Sequence, residues 1–186
     1  MNGTHQANHQ SNSSASPILV KQVARNINGI HTEVLTQSFA DRILILVTQL
    51  GKVGTLTQIT MSMTSIDQPY DLAPEVPSLN IPSLPIPNTS LQLTPLLSTP
   101  PSESRTIYDV FLNQIGMLVL TGFGPRPNLD PSQIFGIGRR PLIVGLALKP
   151  DNSLSSTSSD DCQGLVDLDR IRFGSVMEMI MECRVW

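Results

Sequence analysis

Ionisable and aromatic side chains are scarce in this sequence of 186 residues. Asp, Glu, Lys and Arg make up only 15% of it, and Phe, Trp and Tyr only 4%. The twelve Lys and Arg residues are scattered, and the formal net charge is −3, so no surface for a phosphate backbone is indicated. The few aromatic rings also leave little on which bases could stack. The composition therefore argues against nucleic acid as a partner.

Long hydrophobic runs are absent too. The longest, 43–47 and 142–148, fall far short of the ~20 residues that a membrane-spanning helix needs. The first residues lack the basic and apolar regions of a secretory signal. Two cysteines, Cys162 and Cys183, are too few for a disulfide framework. We therefore expect a protein of the reducing cytosol, with the nucleus as a second compartment and no membrane partner.

Residues that could carry catalysis are few. His5 and His9 fall in a polar N-terminal stretch, which leaves His31 as the one base for a Ser/His/Asp or Cys/His nucleophile. The pair Gly51-Lys52 does not complete a phosphate loop, since Val53 stands where Ser or Thr is required. No metal-ligand spacing is present. We predict that the protein is not an enzyme and uses no cofactor and no metal.

Two segments are predicted to lie outside the folded body. Residues 1–16 hold almost no apolar groups and are expected to form a disordered tail. Residues 67–103 carry nine of the fifteen prolines, which favours a disordered loop that is dispensable for folding. The rest of 17–186 is then a single domain of ordinary size.

The hydrophobic pattern of that domain predicts the order β-β-β-β-loop-α-β-α. Asn28-Gly29 is a strong hairpin signal, and the run 43–47 is apolar on both faces, as in a central strand. Two later segments have the three- and four-residue spacing of amphipathic helices. Their apolar residues are Ile107, Val110, Phe111, Ile115 and Leu118 in the first, and Leu165, Leu168, Ile171, Val176, Met179, Ile180 and Cys183 in the second, which Gly174 interrupts. We predict an α+β fold: a mostly antiparallel sheet of about five or more strands, the first four as a meander, with two helices on one face.

A resemblance to a known family is carried by residues 31–56. The segment HTEVLTQSFADRILILVTQLGKVGTL resembles the signature of the proteasome assembly chaperone 3 family, in which a T-x-V strand leads into I-L-V-L-V-T-Q-x-G-K-x-G-T-L. Ile107–Phe111, Pro141–Lys149 and the final Val185-Trp186 are similar to later blocks of that family, in the same order. The long proline-rich segment, the Ser-rich loop before the last helix and the extended N-terminal tail depart from it.

The resemblance implies a non-catalytic, ATP-independent chaperone. Such a protein pairs with a like-folded partner, assembly chaperone 4, and holds proteasome α-subunits in order while the α-ring forms. Two alternatives stay open. One is a longin- or roadblock-like dimeric scaffold of trafficking or GTPase complexes, although its usual element order differs. The other is a small hydrolase, which the shortage of histidine disfavours.

Candidate partner contacts lie in two places. The turn Gly51, Lys52, Val53, Gly54 puts a lysine where it could meet an acidic group of a partner, although a solvated turn lysine is the alternative. Trp186, the only Trp, either packs back on the sheet or anchors an interface, where Trp is enriched. Because two helices can cover only one face of the sheet, we expect the other face to dock a like-folded subunit.

Overall fold

The computed structural model describes residues 18–62, 83–87, 89–123, 140–150 and 161–186, with backbone alone for 161–167. Within this part of the chain, six strands and two long helices are formed. The strands are β1 (Leu19–Ile27), β2 (Ile30–Ser38), β3 (Ile43–Thr48), β4 (Thr55–Met61), β5 (Leu91–Leu97) and β6 (Leu142–Ala147), and the helices are α1 (Arg105–Leu120) and α2 (Asp161–Glu182). A 3₁₀ turn over Ser102–Ser104 leads into α1.

The six strands form one sheet in the order β1-β2-β3-β6-β4-β5. Only β3 and β6 are parallel, and every other neighbouring pair is antiparallel. The predicted hairpin joins β1 to β2, with Asn28 at φ 51° and Gly29 at φ 78°, as the Asn-Gly signal requires. The prediction of an α+β fold with a mostly antiparallel sheet is confirmed.

The predicted four-strand meander is wrong at its last step, because β6 lies between β3 and β4. The turn signal at 51–54 indicates where β3 ends, but it cannot show which strand becomes its neighbour. Both β3 and β6 are apolar runs, and a strand of this kind is most stable with a partner on each side. The chain from 49 to 54 therefore does not close a hairpin and instead crosses β6.

The proline-rich segment also differs from the prediction. Its residues 91–97 form β5, which pairs with β4 at the edge of the sheet. Pro95 is compatible with this position because an edge strand leaves one side without ladder hydrogen bonds. Upstream, Leu84 is buried with 4% exposure, and Pro85 O accepts a hydrogen bond from Gln114 Nε2 at 2.9 Å. Part of the predicted loop therefore belongs to the core.

Both helices cover the same face of the sheet: α1 packs on β4, β5 and β6, and α2 packs on β1 and β2. The helices meet where the rings of Phe111 and Phe173 lie edge to face, 5.2 Å apart. Beneath them, one set of alternating strand residues is completely buried: Thr32, Val34, Thr36, Ile43, Ile45, Val47, Ile59, Leu142, Val144 and Leu146. This layer is the hydrophobic core.

The prediction of the two amphipathic helices is correct in their existence but not in every buried residue. The spacing predicts that Val110 and Leu168 lie on the buried faces, but they are 51% and 47% exposed. Gly174 does not interrupt α2, which is continuous through it. Val110 instead lines an open groove between the two helices, together with Ile107 and Phe173, so much of its side chain stays in solvent.

Candidate partner-binding surface

The face of the sheet opposite the helices has an apolar centre. Side chains alternate between faces along a strand, and the strand register then brings together five residues that we call the apolar patch: Leu35, Leu44, Leu46, Leu56 and Ile143. Leu35 is directly opposite Leu46, and Leu44 is directly opposite Ile143. The four leucines are only half-buried. The patch therefore offers apolar surface at the middle of a broad face.

Polar residues surround this patch on the same face. They include Gln22, Asn26, His31, Glu33, Gln37, Gln58, Thr60, Gln92 and Thr94. On β2, His31 Nε2 and Glu33 Oε1 lie 2.8 Å apart at the surface. An apolar centre with a polar, solvated rim is the usual arrangement of a protein–protein interface.

The connection from β3 to β4 crosses β6 on this face. Gly54 lies so close to β6 that a Cβ atom there would be 2.2 Å from Leu146 O, and its φ of 70° also favours glycine. A Cβ atom on Gly145 would lie 2.5 Å from Leu46 Cδ2 and 3.2 Å from Val53 Cγ1. The glycines therefore let the connection lie flat on the sheet.

The predicted turn residues lie beside the apolar patch. The hydroxyl of Thr48 accepts hydrogen bonds from the backbone N–H groups of Leu50 and Lys52, each at 3.2 Å, and so fixes the turn. Leu50 and Val53 are each 42% exposed. Lys52 is also exposed, and its ammonium group has no ion pair with any described residue. The turn adds apolar surface and one cation to the rim.

Trp186 lies elsewhere. It is 7% exposed and belongs to the core, with the Arg184 guanidinium 5.9 Å from its ring centroid. Arg184 also donates to Gly122 O at 3.2 Å, just beyond the C-terminal end of α1. The turn lies at the other end of the sheet, where Leu148 N donates to Tyr108 Oη near the start of α1. The structure therefore does not bring the turn and Trp186 together.

Of the residues considered for nucleophilic catalysis, His31 and Cys183 do not share a site, and the side chain of Cys162 lies outside the described part of the chain. His31 is on the surface of the open face, whereas Cys183 is buried on the helix side, where its carbonyl accepts a hydrogen bond from the Thr36 hydroxyl. Burial raises the pKa of the Cys183 thiol, and the charge of Glu182 adds to the effect. A raised pKa disfavours the thiolate, which is the reactive form.

The described ranges contain no group of three or more His, Cys, Asp or Glu residues that could hold a metal ion. Among the helices of the same ranges, none has the length and hydrophobicity to cross a bilayer.

Sequence reasoning identified the central strand but not the full patch. The double-sided apolar run of β3 indicates Leu44 and Leu46. Leu56 and Ile143 join them only because β6 lies between β3 and β4, which no local pattern shows.

Comparison with known proteins gives one partial match. No family model matches the chain. Over 49 residues, it is 47% identical to proteasome assembly chaperone 3 of Nematostella vectensis. The match covers 26% of this chain and spans about a third, 33%, of that protein. Over this quarter of the chain, the similarity suggests the proteasome assembly chaperone 3 family.

Proposed function

We propose that this protein is a non-catalytic, ATP-independent assembly chaperone for the proteasome core particle. In this proposal it promotes α-ring formation in the cytosol and nucleus, as a dimer with a like-folded partner, assembly chaperone 4. The observation that carries the proposal is the apolar patch on a sheet face that neither described helix covers. The name of the partly similar protein from Nematostella vectensis supports the same role.

The patch favours docking through the sheet face. Burying half-exposed leucines stabilises a complex by about 25 cal/mol per Å² of apolar surface removed from water. A stable interface buries about 1,200–2,000 Å² in total, with its apolar residues at the centre. The exposed Val53 and Leu50 extend the apolar surface beyond the five patch residues.

The two edges of the sheet are less suited to pairing with a partner. On β1, Arg25 forms ion pairs with Glu178 at 3.4 Å and Glu182 at 2.5 Å, so a charged side chain is fixed at this edge. On β5, Pro95 removes a backbone donor. Charged residues and proline are common protections of edge strands. Face-to-face docking is therefore the arrangement we propose.

Lys52 is proposed to contact an acidic group of the partner or of a proteasome α-subunit. Its backbone is fixed by Thr48, while its ammonium group stays in solvent. A charge at the rim mainly accelerates and orients association. Changing Lys52 to Gln should therefore slow association at low salt more than it changes the dissociation rate.

The test is association with assembly chaperone 4 from the same organism. Purified chain, alone and mixed with chaperone 4, is analysed by size-exclusion chromatography with light scattering at micromolar concentration. We expect a 1:1 complex with wild-type protein and its loss with Leu44→Gln or Leu35→Gln, because each puts a polar group at the centre of the patch.

The matched control is Gln92→Glu on the same face at the edge strand β5, where the side chain is exposed. It should leave the complex intact. Circular dichroism checks that each variant is folded. A monomer in every wild-type sample, or a complex that both patch variants still form, would contradict the proposal.

A further inference from the structure

A second surface feature lies on the helix side of the sheet, away from the apolar patch. A cavity of about 630 Å³ opens between the beginning of α1, strand β4 and the edge strand β5. Its lining residues are Thr55, Thr57, Leu93, Pro95, Ser98, Thr99, Pro100, Ser102, Arg105, Asp109 and Leu112. The volume falls in the range of small-molecule sites, about 300–1,000 Å³.

Two threonine hydroxyls lie at a position where the core would ordinarily be apolar, although most of the cavity's lining surface is apolar. The helix-facing residues of β4 are Thr55, Thr57, Ile59 and Met61, and the two threonines are those that line the cavity. Each is only 6% exposed. The hydroxyl of Thr55 donates to Leu146 O at 3.2 Å.

The Thr57 hydroxyl has no such partner. Among the described residues, no hydrogen bond to its side chain is formed, although the residue is more than nine-tenths buried. The hydroxyl is not one of the fully buried polar atoms that lack a partner, so it is reachable from the cavity. A polar group inside the cavity could therefore hydrogen-bond with it.

The opposite wall carries one cation and one anion. Arg105 and Asp109 are four residues apart on α1 and so lie on the same side of the helix. Neither side chain forms an ion pair within the described ranges. The N-cap residue Ser104 makes no side-chain capping bond, so the positive end of the helix dipole adds to the charge of Arg105.

We infer that this cavity binds a small polyhydroxylated organic phosphate. The Arg105 guanidinium, with the N-terminal end of α1, fits a phosphate group, because arginine binds phosphate oxygens through charge-assisted hydrogen bonds. The Asp109 carboxylate accepts from ligand hydroxyls, and the Thr57 hydroxyl gains the partner it lacks. The inference is independent of the proposed chaperone function, since the cavity and the apolar patch lie on opposite faces.

The test is isothermal titration calorimetry on the full chain, with glucose 6-phosphate as the probe. We expect saturable binding of glucose 6-phosphate, weaker binding of inorganic phosphate and none of glucose. Arg105→Gln should weaken the binding of glucose 6-phosphate by about tenfold or more, because the charge-assisted bonds are lost. Arg42→Gln removes the same charge from an exposed site outside the cavity and should leave the affinity unchanged.

A second variant distinguishes a loss of ligand binding from a loss of folding stability. Thr57→Val keeps the shape of the side chain and removes a hydroxyl that has no hydrogen-bond partner among the described residues. It should weaken the binding of glucose 6-phosphate about threefold without lowering the thermal midpoint of the free chain. The inference is overturned if the wild-type chain binds neither glucose 6-phosphate nor glycerol 3-phosphate, or if Arg105→Gln binds as tightly as the wild type.

Discussion

At the scale of single residues, the crossing of the β3–β4 connection over β6 depends on two glycines. A methyl group at Gly145 would overlap Leu46 and press against Val53, and one at Gly54 would meet the backbone of Leu146. The sequence marks Gly51 and Gly54 as turn residues, but it gives no sign that only Gly54 lies against another strand. That difference comes from the contact with β6.

The two turn glycines should therefore respond differently to alanine. Gly54→Ala should destabilise the fold by about 3 kcal/mol or more, since backbone strain and a clash with a carbonyl add together. A Cβ atom at Gly51 would have no other atom within 4 Å, and only the positive φ of 63° disfavours alanine there. Gly51→Ala should therefore lower the free energy of unfolding by about 1 kcal/mol. Urea denaturation followed by circular dichroism measures both. Equal losses would show that the close contact with Leu146 does not exist in solution.

At the scale of elements, β3 has one fully buried face and one half-buried face. Ile43, Ile45 and Val47 are 0% exposed beneath the helices, whereas Leu44 and Leu46 are half-buried in the apolar patch. The sequence predicted a strand covered on both sides. The second cover is not part of the described chain, which fits the proposal that a partner provides it.

This asymmetry predicts different costs for two neighbouring substitutions. Ile45→Ala should lower the free energy of unfolding by about 2–5 kcal/mol, because it leaves a cavity in the core. Leu44→Ala should cost about 1 kcal/mol in the isolated chain, because part of its surface is already in water. Urea denaturation of the two variants is the measurement, and an equal cost would place Leu44 inside the core instead.

The proline-rich segment contributes more to the fold than its sequence indicates. The sequence favoured a dispensable loop over 67–103, yet β5 and the buried Leu84 lie within it. The stretch Leu91-Gln92-Leu93 alternates like a strand, but it is short and the many prolines around it favour a loop. Its backbone forms hydrogen bonds with β4.

Replacing all of 67–103 by a Gly-Ser linker should therefore lower the thermal midpoint by on the order of 10 °C or more, since an edge strand and part of the core are lost. Replacing only 67–80 should change the midpoint little, because loop length has a small effect on closure entropy. Differential scanning calorimetry compares the two. If the longer replacement leaves the midpoint unchanged, β5 does not contribute to stability.

At the scale of the whole molecule, the described residues form two layers, with both helices on one side of the sheet and no described helix on the other. A protein that binds a partner only in its folded form is stabilised by mass action. The thermal midpoint of the chain should therefore rise when chaperone 4 is added, and it should rise further at higher partner concentration. Differential scanning fluorimetry at several concentrations measures this effect. Leu44→Gln should abolish the increase while leaving the midpoint of the isolated chain close to that of Leu44→Ala.

The sequence by itself determined the class of the fold, the Asn28-Gly29 hairpin, the central position of β3 and the two helices. These follow from local signals, namely turn residues with positive φ and the two- or four-residue spacing of apolar side chains. The scarcity of histidine likewise favours a binding function over a catalytic one. All of this information lies within short windows of the chain.

Only the tertiary structure decided which strands are neighbours. The insertion of β6 between β3 and β4 assembles the apolar patch, explains Gly54 and Gly145, and carries the 49–54 connection onto the open face. The same packing leaves two threonines of β4 facing a cavity beside Arg105. Strand order depends on the total burial of distant apolar runs rather than on the residues of any one turn, so it becomes visible only when the whole sheet is assembled.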